Sequence, residues 1–291
     1  MTKIPLRDIC YHPTFRCSLS CRGCVNYSNH LESYNIPDET NWHRDLDALF
    51  ERFDVRHIEV AGGETLMFPH LEDLVNKLSP VKFYTITTNG LLLYKHRWIK
   101  DLVDNDQRLQ LVISIHGHPL QDSIYIRNLS ESLGIFLDKP AATILKEIRR
   151  NFASPSTPSR YLIHNGRIKI KQQHRQGMWH YPKLDTDELP VLFNNDKEIA
   201  FKNCICPAPH LKDGKIYKCP MMAMLPKVIK SKNISNTKWD YLNEYSPYDL
   251  LNEHNNDTWS RLFVAEDVCS KCPVGSHEWD TAKIDLHSKI I

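Results

Sequence analysis

The apolar residues of this chain alternate between two periods. Arg7 to Tyr11 is a short β-prone run that stops near Pro13, and it reads as a first strand delivering its C-terminal end to a loop. From Thr40 the period changes: Trp42, Leu46, Leu49, Phe50 and Phe53 recur at helical spacing with charges between them, which predicts an amphipathic helix. Val55 to Ala61 returns to a strand pattern and runs into Gly62-Gly63-Glu64. Leu71 to Leu78 predicts a second helix, ended by Ser79-Pro80, and Val81 to Thr87 a strand that stops at Thr88-Asn89-Gly90. Leu91 to Val103 predicts a third helix, and Leu109 to Ile115 a buried strand leading to His116-Gly117. Strand, loop and helix thus repeat from residue 7 to residue 115. Such alternation predicts an α/β architecture, a parallel sheet or barrel with helices outside.

The middle of the chain carries weaker patterns. Pro119 to Lys139, with Asp122, Tyr125 and Arg127, reads as a long loop region, and Ala141 to Phe152 as a helix broken by the prolines of Ser154 to Ser159. Asn165-Gly166 predicts a hairpin within Tyr161 to Ile170. His174 to Pro182 is aromatic and histidine-rich without periodicity and reads as a loop facing substrate. From about residue 190 the chain turns to short segments, Asn-rich turns and its last five cysteines, which divides it into a domain of residues 1–190 and a smaller one of residues 191–291.

Composition narrows the function classes. A chain of 291 residues can bury a sizeable core, and 41% apolar with 25% charged residues is ordinary for a globular protein. Lys plus Arg of 37 against Asp plus Glu of 35 leaves almost no net field, which argues against a nucleic-acid partner. The N-terminus lacks a signal pattern, and no apolar run reaches the roughly 18 residues of a membrane span, so no membrane partner and a reducing cytoplasmic setting are expected. There thiols remain free to act as metal ligands.

The nine cysteines fall as Cys10, a triplet at Cys17, Cys21 and Cys24, then a long gap before Cys204, Cys206, Cys219, Cys269 and Cys272. The triplet spacing, C-x3-C-x2-C, suits a 4Fe-4S cluster with one iron left without a protein ligand, a zinc site or redox-active thiols. Downstream, Cys204, Gly214 and Cys219 form C-x9-G-x4-C, followed later by Cys269-x2-Cys272, and Gly214 suits the turn of a hairpin in G-K-I-Y-K-C. Four cysteines in two pairs also satisfy a structural zinc ribbon. Cys10 lies in the first strand and reads as simply buried.

The triplet, with Gly62-Gly63-Glu64 after the second strand and Thr88-Asn89-Gly90 after the third, resembles the radical S-adenosylmethionine (radical SAM) enzymes. The C-terminal cysteines resemble the twitch domain, the shortened relative of the SPASM domain. This resemblance implies a partial (β/α)6 barrel with these loops at its C-terminal mouth, followed by a small cysteine-rich twitch domain. It also implies SAM and two 4Fe-4S clusters. Cys17, Cys21 and Cys24 would hold one cluster, and Cys204, Cys219, Cys269 and Cys272 the auxiliary one, with Cys206 able to replace Cys204. Gly62, Gly63 and Glu64 would bind the methionyl ammonium, Thr88 and Asn89 would sit near the ribose or carboxylate, and Ser114 and His116 would face the cofactor. Where the family has an aromatic residue before the third cysteine this chain has Gly23, so Tyr27 or Val25 would stand in against the adenine.

By the same resemblance, SAM is cleaved to a 5′-deoxyadenosyl radical that abstracts a substrate hydrogen, and a fully ligated auxiliary cluster takes the electron left behind. That implies oxidation or rearrangement of a small polar metabolite such as a sugar, cyclitol or amino-acid derivative, an arrangement similar to the aminocyclitol dehydrogenases. Oxidising an alcohol also needs a proton acceptor, for which His116, His118, Arg127 and His174 are candidates. Modification of a peptide side chain, by crosslinking, thioether formation or epimerisation, is the alternative. With the triplet beginning at residue 17, no leader-binding domain is expected before it, although a separate binding protein could supply one. A non-enzymatic iron-sulfur or zinc protein is the third reading. The implied partners are a small-molecule or peptide substrate and a reductant such as flavodoxin or ferredoxin.

Overall fold

The computed structural model describes residues 2–21, 24–31, 41–116, 124–152, 160–164, 166–172, 189–204, 208–252, 256–274 and 287–288. Strand β1 (Ile4–Thr14) extends the predicted run at both ends. Helix α1 (Trp42–Arg52) buries Trp42, Leu46, Leu49 and Phe50 as its periodicity requires, but Phe53 already has extended backbone and opens β2 (Phe53–Gly62). Helix α2 (Leu71–Lys77) and strand β3 (Phe83–Thr88) follow. The helix expected over Leu91 to Val103 is instead two pieces, a 3₁₀ turn at Leu93–Lys95 and α3 (Trp98–Asn105), because His96 leaves helical backbone angles. Strand β4 (Leu109–Ile115) matches its prediction.

The loop expected over Pro119 to Lys139 is a correction, because Ile124–Leu137 forms helix α4. Tyr125, Ile126, Leu129, Leu133, Phe136 and Leu137 are all buried along it. A helix enclosed on nearly every side shows no polar face, and its periodicity is therefore faint in the sequence. Ser132 Oγ on α4 donates to Gly90 O at 2.8 Å, tying the helix to the turn after β3. Helix α5 (Ala141–Asn151) precedes β5 (Arg160–Ile163) and β6 (Ile168–Gln172), which pair antiparallel as the expected hairpin with Gly166 at φ 78°. Asn165 and the His174 to Pro182 segment lie outside the described residues.

Beyond residue 190 come α6 (Lys197–Lys202), β7 (His210–Lys212), β8 (Lys215–Tyr217), α7 (Pro220–Ser231) and β9 (Tyr248–Asp249). Asp213 at φ 52° and Gly214 at φ 70° make the β7–β8 turn where glycine was expected.

One nine-stranded sheet runs in the order β9-β8-β7-β1-β2-β3-β4-β6-β5. β1 pairs parallel with β2 and β7, and β2 with β3, β3 with β4 and β4 with β6 are parallel too. Parallel pairing sends the C-terminal ends of β1 to β4 to one edge, where the cysteine loop, Gly62-Gly63-Glu64, Thr88-Asn89-Gly90 and His116 meet. The sheet crosses residue 190 without interruption, since Cys10 of β1 lies opposite His210 of β7. Apolar packing does divide, with Met221, Met222, Met224, Leu225 and Val228 of α7 in a second core that takes in Phe15 and Tyr27 from the N-terminal part. Among the described residues no helix is long and apolar enough to cross a membrane.

Gly134 on α4 tests this packing. An added Cβ would lie 2.7 Å from Lys139 O and 3.2 Å from Ala141 N, both backbone atoms that cannot swing aside. Alanine normally gains up to about 1 kcal/mol over glycine in a helix. Here the clash dominates, and Gly134→Ala is expected to lower the urea-unfolding free energy by about 1–3 kcal/mol.

Candidate functional site: two groups of cysteines

The loop after β1 carries Cys17, Cys21 and Cys24, with Cys21 buried and the other two half-buried. Its path is set by the end of β2. Gly63 N donates to Thr14 O at 2.9 Å, Glu64 N to Arg16 O at 2.7 Å, and Asn26 Nδ2 to Gly62 O at 2.6 Å. Both glycines are required by this contact. A Cβ on Gly63 would sit 2.2 Å from Arg16 O and 2.5 Å from Phe15 O. Gly62 is at φ 147°, and its Cβ would lie 2.5 Å from Thr14 O.

Glu64 is buried, and its carboxylate joins three loops. Oε1 accepts from Leu66 N at 3.0 Å and Thr88 Oγ1 at 2.6 Å, and Oε2 from Asn89 N at 2.8 Å. Burial pushes its pKa above the usual carboxylate range, and these hydrogen bonds pull only part of the way back. Asn89 Nδ2 donates to Ser18 Oγ at 3.0 Å, returning to the cysteine loop. The buried Tyr125 hydroxyl lies 3.1 Å from Asn89 O and 3.2 Å from Ser114 O, sharing its one hydrogen between them, and accepts from His116 N at 3.3 Å. His116 Nδ1 is 3.6 Å from Cys21 Sγ.

Cys17, Cys21, Cys24, Gly62, Gly63, Glu64, Thr88, Asn89, Ser114 and His116 are therefore brought together at one edge of the sheet. Ser18, Asn26 and Tyr125 belong to the same network and were missed from the sequence. Tyr125 was legible only through the α4 periodicity, and the other two sit in or beside the triplet without a motif of their own. Arg127 is exposed on α4, and the fold does not gather it with the others. His118, His174, Cys206 and Gly23 lie outside the described residues.

Burial raises the Cys17 and Cys21 thiol pKa values, with Glu64 adding to the rise at Cys17 and the neighbouring thiols adding at both. Burial thus favours the neutral thiol at Cys17 and Cys21. A coordinated iron reverses that logic, because metal charge stabilises the thiolate. Three clustered thiols in a loop with half-buried walls thus fit a cluster with a position left for another ligand.

The second group forms around a cavity of about 210 Å³ lined by Cys204, Cys219, Cys269 and Cys272. Cys204 follows α6, Cys219 caps α7, and Cys269 and Cys272 belong to one tight turn in which Cys272 N donates to Cys269 O at 3.1 Å. Burial lifts the Cys219 pKa to about 12 and raises Cys269 and Cys272 as well, and charge on Cys204 adds to each rise. Lys218, which also lines the cavity, is held by donating to Arg261 O at 2.8 Å and Leu262 O at 3.1 Å. Val25 and Tyr27, just past Cys24, line the same cavity. Tyr27, expected against the adenine, is buried at φ 54° in the C-terminal apolar core beside these cysteines.

Residues 11–120, which include β2, β3 and β4, match the Radical SAM superfamily. That superfamily's SAM and 4Fe-4S cluster are groups that the thiol triplet and the buried network around Glu64 would fit. Among curated relatives, a "Probable GTP 3′,8-cyclase" of Methanosarcina mazei is 34% identical over 85 residues, covering 28% of this chain and 25% of that protein. A GTP 3′,8-cyclase of Staphylococcus carnosus is 28% identical over 153 residues, covering 50% of this chain and 42% of that protein. The chain therefore matches less than half the length of either relative. Similar solved structures include Streptococcus suis SuiB bound to S-adenosylmethionine, at TM-score 0.43 and 14% identity, covering 90% of this chain and 65% of that one. Native anSMEcpe with bound AdoMet and Cp18Cys peptide has TM-score 0.28 and 23% identity, covering 50% and 41%.

Two substitutions test the roles that the resemblance implies at this edge. Gly63→Ala is expected to displace the cysteine loop and to lower iron incorporation at the N-terminal triplet, measured by iron analysis after anaerobic reconstitution. Glu64→Gln turns one acceptor toward the Asn89 N–H or the Thr88 hydroxyl as a donor. It is expected to weaken SAM binding by about tenfold or more in calorimetry while iron content is retained.

Proposed function

We propose that the protein is a radical SAM oxidoreductase with two 4Fe-4S clusters, acting on a small polar metabolite. The observation that carries this reading is the convergence of Cys204, Cys219, Cys269 and Cys272 on one cavity whose wall also includes Val25 and Tyr27, close behind Cys24. Four thiolates about 2.3 Å from a zinc ion close onto one point and need no void. A cavity with four cysteines in its wall supports a cluster there over a single zinc ion, in line with the twitch resemblance of the sequence. Cys17, Cys21 and Cys24 would hold one cluster with SAM and Cys204, Cys219, Cys269 and Cys272 the other, and bound there they would supply hydrogen-atom abstraction at one place and an electron acceptor at the other.

The chain's own residues then have separable tasks. Glu64 Oε2 accepts one hydrogen bond, from Asn89 N, and a carboxylate oxygen keeps a second lone pair for the methionyl ammonium. Gly62 and Gly63 let the cysteine loop lie directly on the strand end and, by the resemblance, turn backbone groups to the methionyl ammonium, Thr88 and Asn89 serve the ribose or carboxylate, and Ser114 and His116 border the cofactor. Tyr27 is placed to close the cavity of the second cysteine group. Removing two electrons from an alcohol as a hydrogen atom and an electron leaves a proton to be accepted, and His116 is the candidate base at the same edge as the thiols. His118 and His174 remain candidates from sequence alone. An external flavodoxin or ferredoxin would supply the electron that starts each turnover. GTP, for which the two relatives are named, is itself a small polar metabolite, and the substrate class proposed here agrees with theirs at that level only.

Anaerobically reconstituted protein is expected to hold about eight iron and eight sulfide per chain, and about four iron with zinc would overturn the second cluster. Replacing Cys17, Cys21 and Cys24 together by alanine should leave about four iron and abolish 5′-deoxyadenosine formation. Deuterium carried from a labelled sugar, cyclitol or amino-acid derivative into 5′-deoxyadenosine, read by mass spectrometry, would establish the substrate class. Transfer from a peptide alone would overturn it.

A further inference from the structure

Cys10, expected to be merely buried, has company that the sequence did not reveal. Cys10 and His12 alternate on β1 and so share one face of the sheet, and the parallel register sets Cys10 beside His210 on β7. One ligand atom from each of the three lies within 4.8 Å of the other two, and all three residues are buried. His12 Nε2 and His210 Nδ1 are 2.7 Å apart, so a single proton lies between two imidazoles when no cation is bound. His12 Nδ1 is buried without a hydrogen-bond partner. Glu59 on β2 is the register partner of Cys10, and its Oε1 accepts from Thr87 Oγ1 at 2.7 Å. Lys212, two residues beyond His210, opposes positive charge at this point. Its Nζ lies 3.6 Å from Asp213 Oδ1.

A thiol and two imidazoles enclosed together contribute little to an apolar core, and none of the three belongs to either apolar cluster. As donors they are one soft sulfur and two borderline nitrogens. That set selects zinc and its transition-metal neighbours over magnesium or calcium, which require oxygen ligands. We infer that Cys10, His12 and His210 form a single-ion site for a zinc-class divalent cation, with a fourth position for water or the Glu59 carboxylate. Binding releases the thiol proton and leaves each imidazole N–H on the nitrogen turned away from the ion, with no change of oxidation state. The two outer cysteine groups play no part in the site, and it stands whether or not the proposed reaction does.

The test uses the full chain with its clusters reconstituted, equilibrated with one equivalent of Zn²⁺ and desalted. Zinc K-edge absorption should show about one sulfur at 2.3 Å and about two nitrogens at 2.0–2.1 Å, with near-stoichiometric zinc by elemental analysis. The Cys10→Ser/His210→Gln double variant should keep the circular dichroism and iron content of the parent and lose tenfold or more of the zinc. No retained zinc in the parent, a shell of four sulfurs, or zinc unchanged in a folded double variant would each overturn the site. The absorption spectrum of the parent decides the matter even if the variant fails to fold.

Discussion

The contact on which the N-terminal site depends is a backbone contact without side chains. The cysteine loop lies directly on the Gly62-Gly63 segment, held by Gly63 N to Thr14 O and Glu64 N to Arg16 O. Any Cβ at Gly63 would fall within 2.2 Å of Arg16 O, so two strand ends approach as closely as main chain allows. That approach sets where three thiols point relative to the buried Glu64 carboxylate. The carboxylate in turn organises Leu66, Thr88 and Asn89 around it, and Tyr125 ties Asn89 and Ser114 to His116. The consequence is a buried polar network assembled from four consecutive strand ends and already ordered by its own hydrogen bonds.

The second cysteine group is attached to the first by packing. Phe15, at the start of the cysteine loop, sits under Lys212 Nζ at 4.2 Å and Lys227 Nζ at 5.0 Å, and it shares the α7 core with Tyr27. Because β7 adds directly to β1, the C-terminal strands share a rigid sheet with the strand that launches the triplet. The two thiol groups are thereby held as parts of one body, and Tyr27 reaches from one toward the other.

Legibility in the sequence followed the strength of local pattern. The β1 to β4 repeat was readable because each strand is a run of β-branched and aromatic residues ended by a turn signal, and α1 because Trp42, Leu46, Leu49 and Phe50 lie on one face. Helix α4 was not, since it is buried on most of its surface and so lacks the polar face that marks an amphipathic helix. The helix after Asn89-Gly90 was overextended because sequence period alone does not register the break at His96. At the site, the thiols, Gly62, Gly63, Glu64, Thr88 and Asn89 were legible as short motifs at strand ends. Ser18, Asn26 and Tyr125 were not, because their partners lie far away in the chain.

By itself the sequence determined the parallel α/β alternation, the two groups of thiols and the loops that accompany the first group, since each is written in residues close together. Only the tertiary structure decided that residues beyond 190 continue the same sheet, that Tyr27 lines the same cavity as the C-terminal cysteines, and that Cys10 and His12 meet His210 from the far end of the chain. The physical reason is the same in each case. Strand pairing and side-chain packing are long-range, and a register such as Cys10 against His210 leaves no trace in local periodicity.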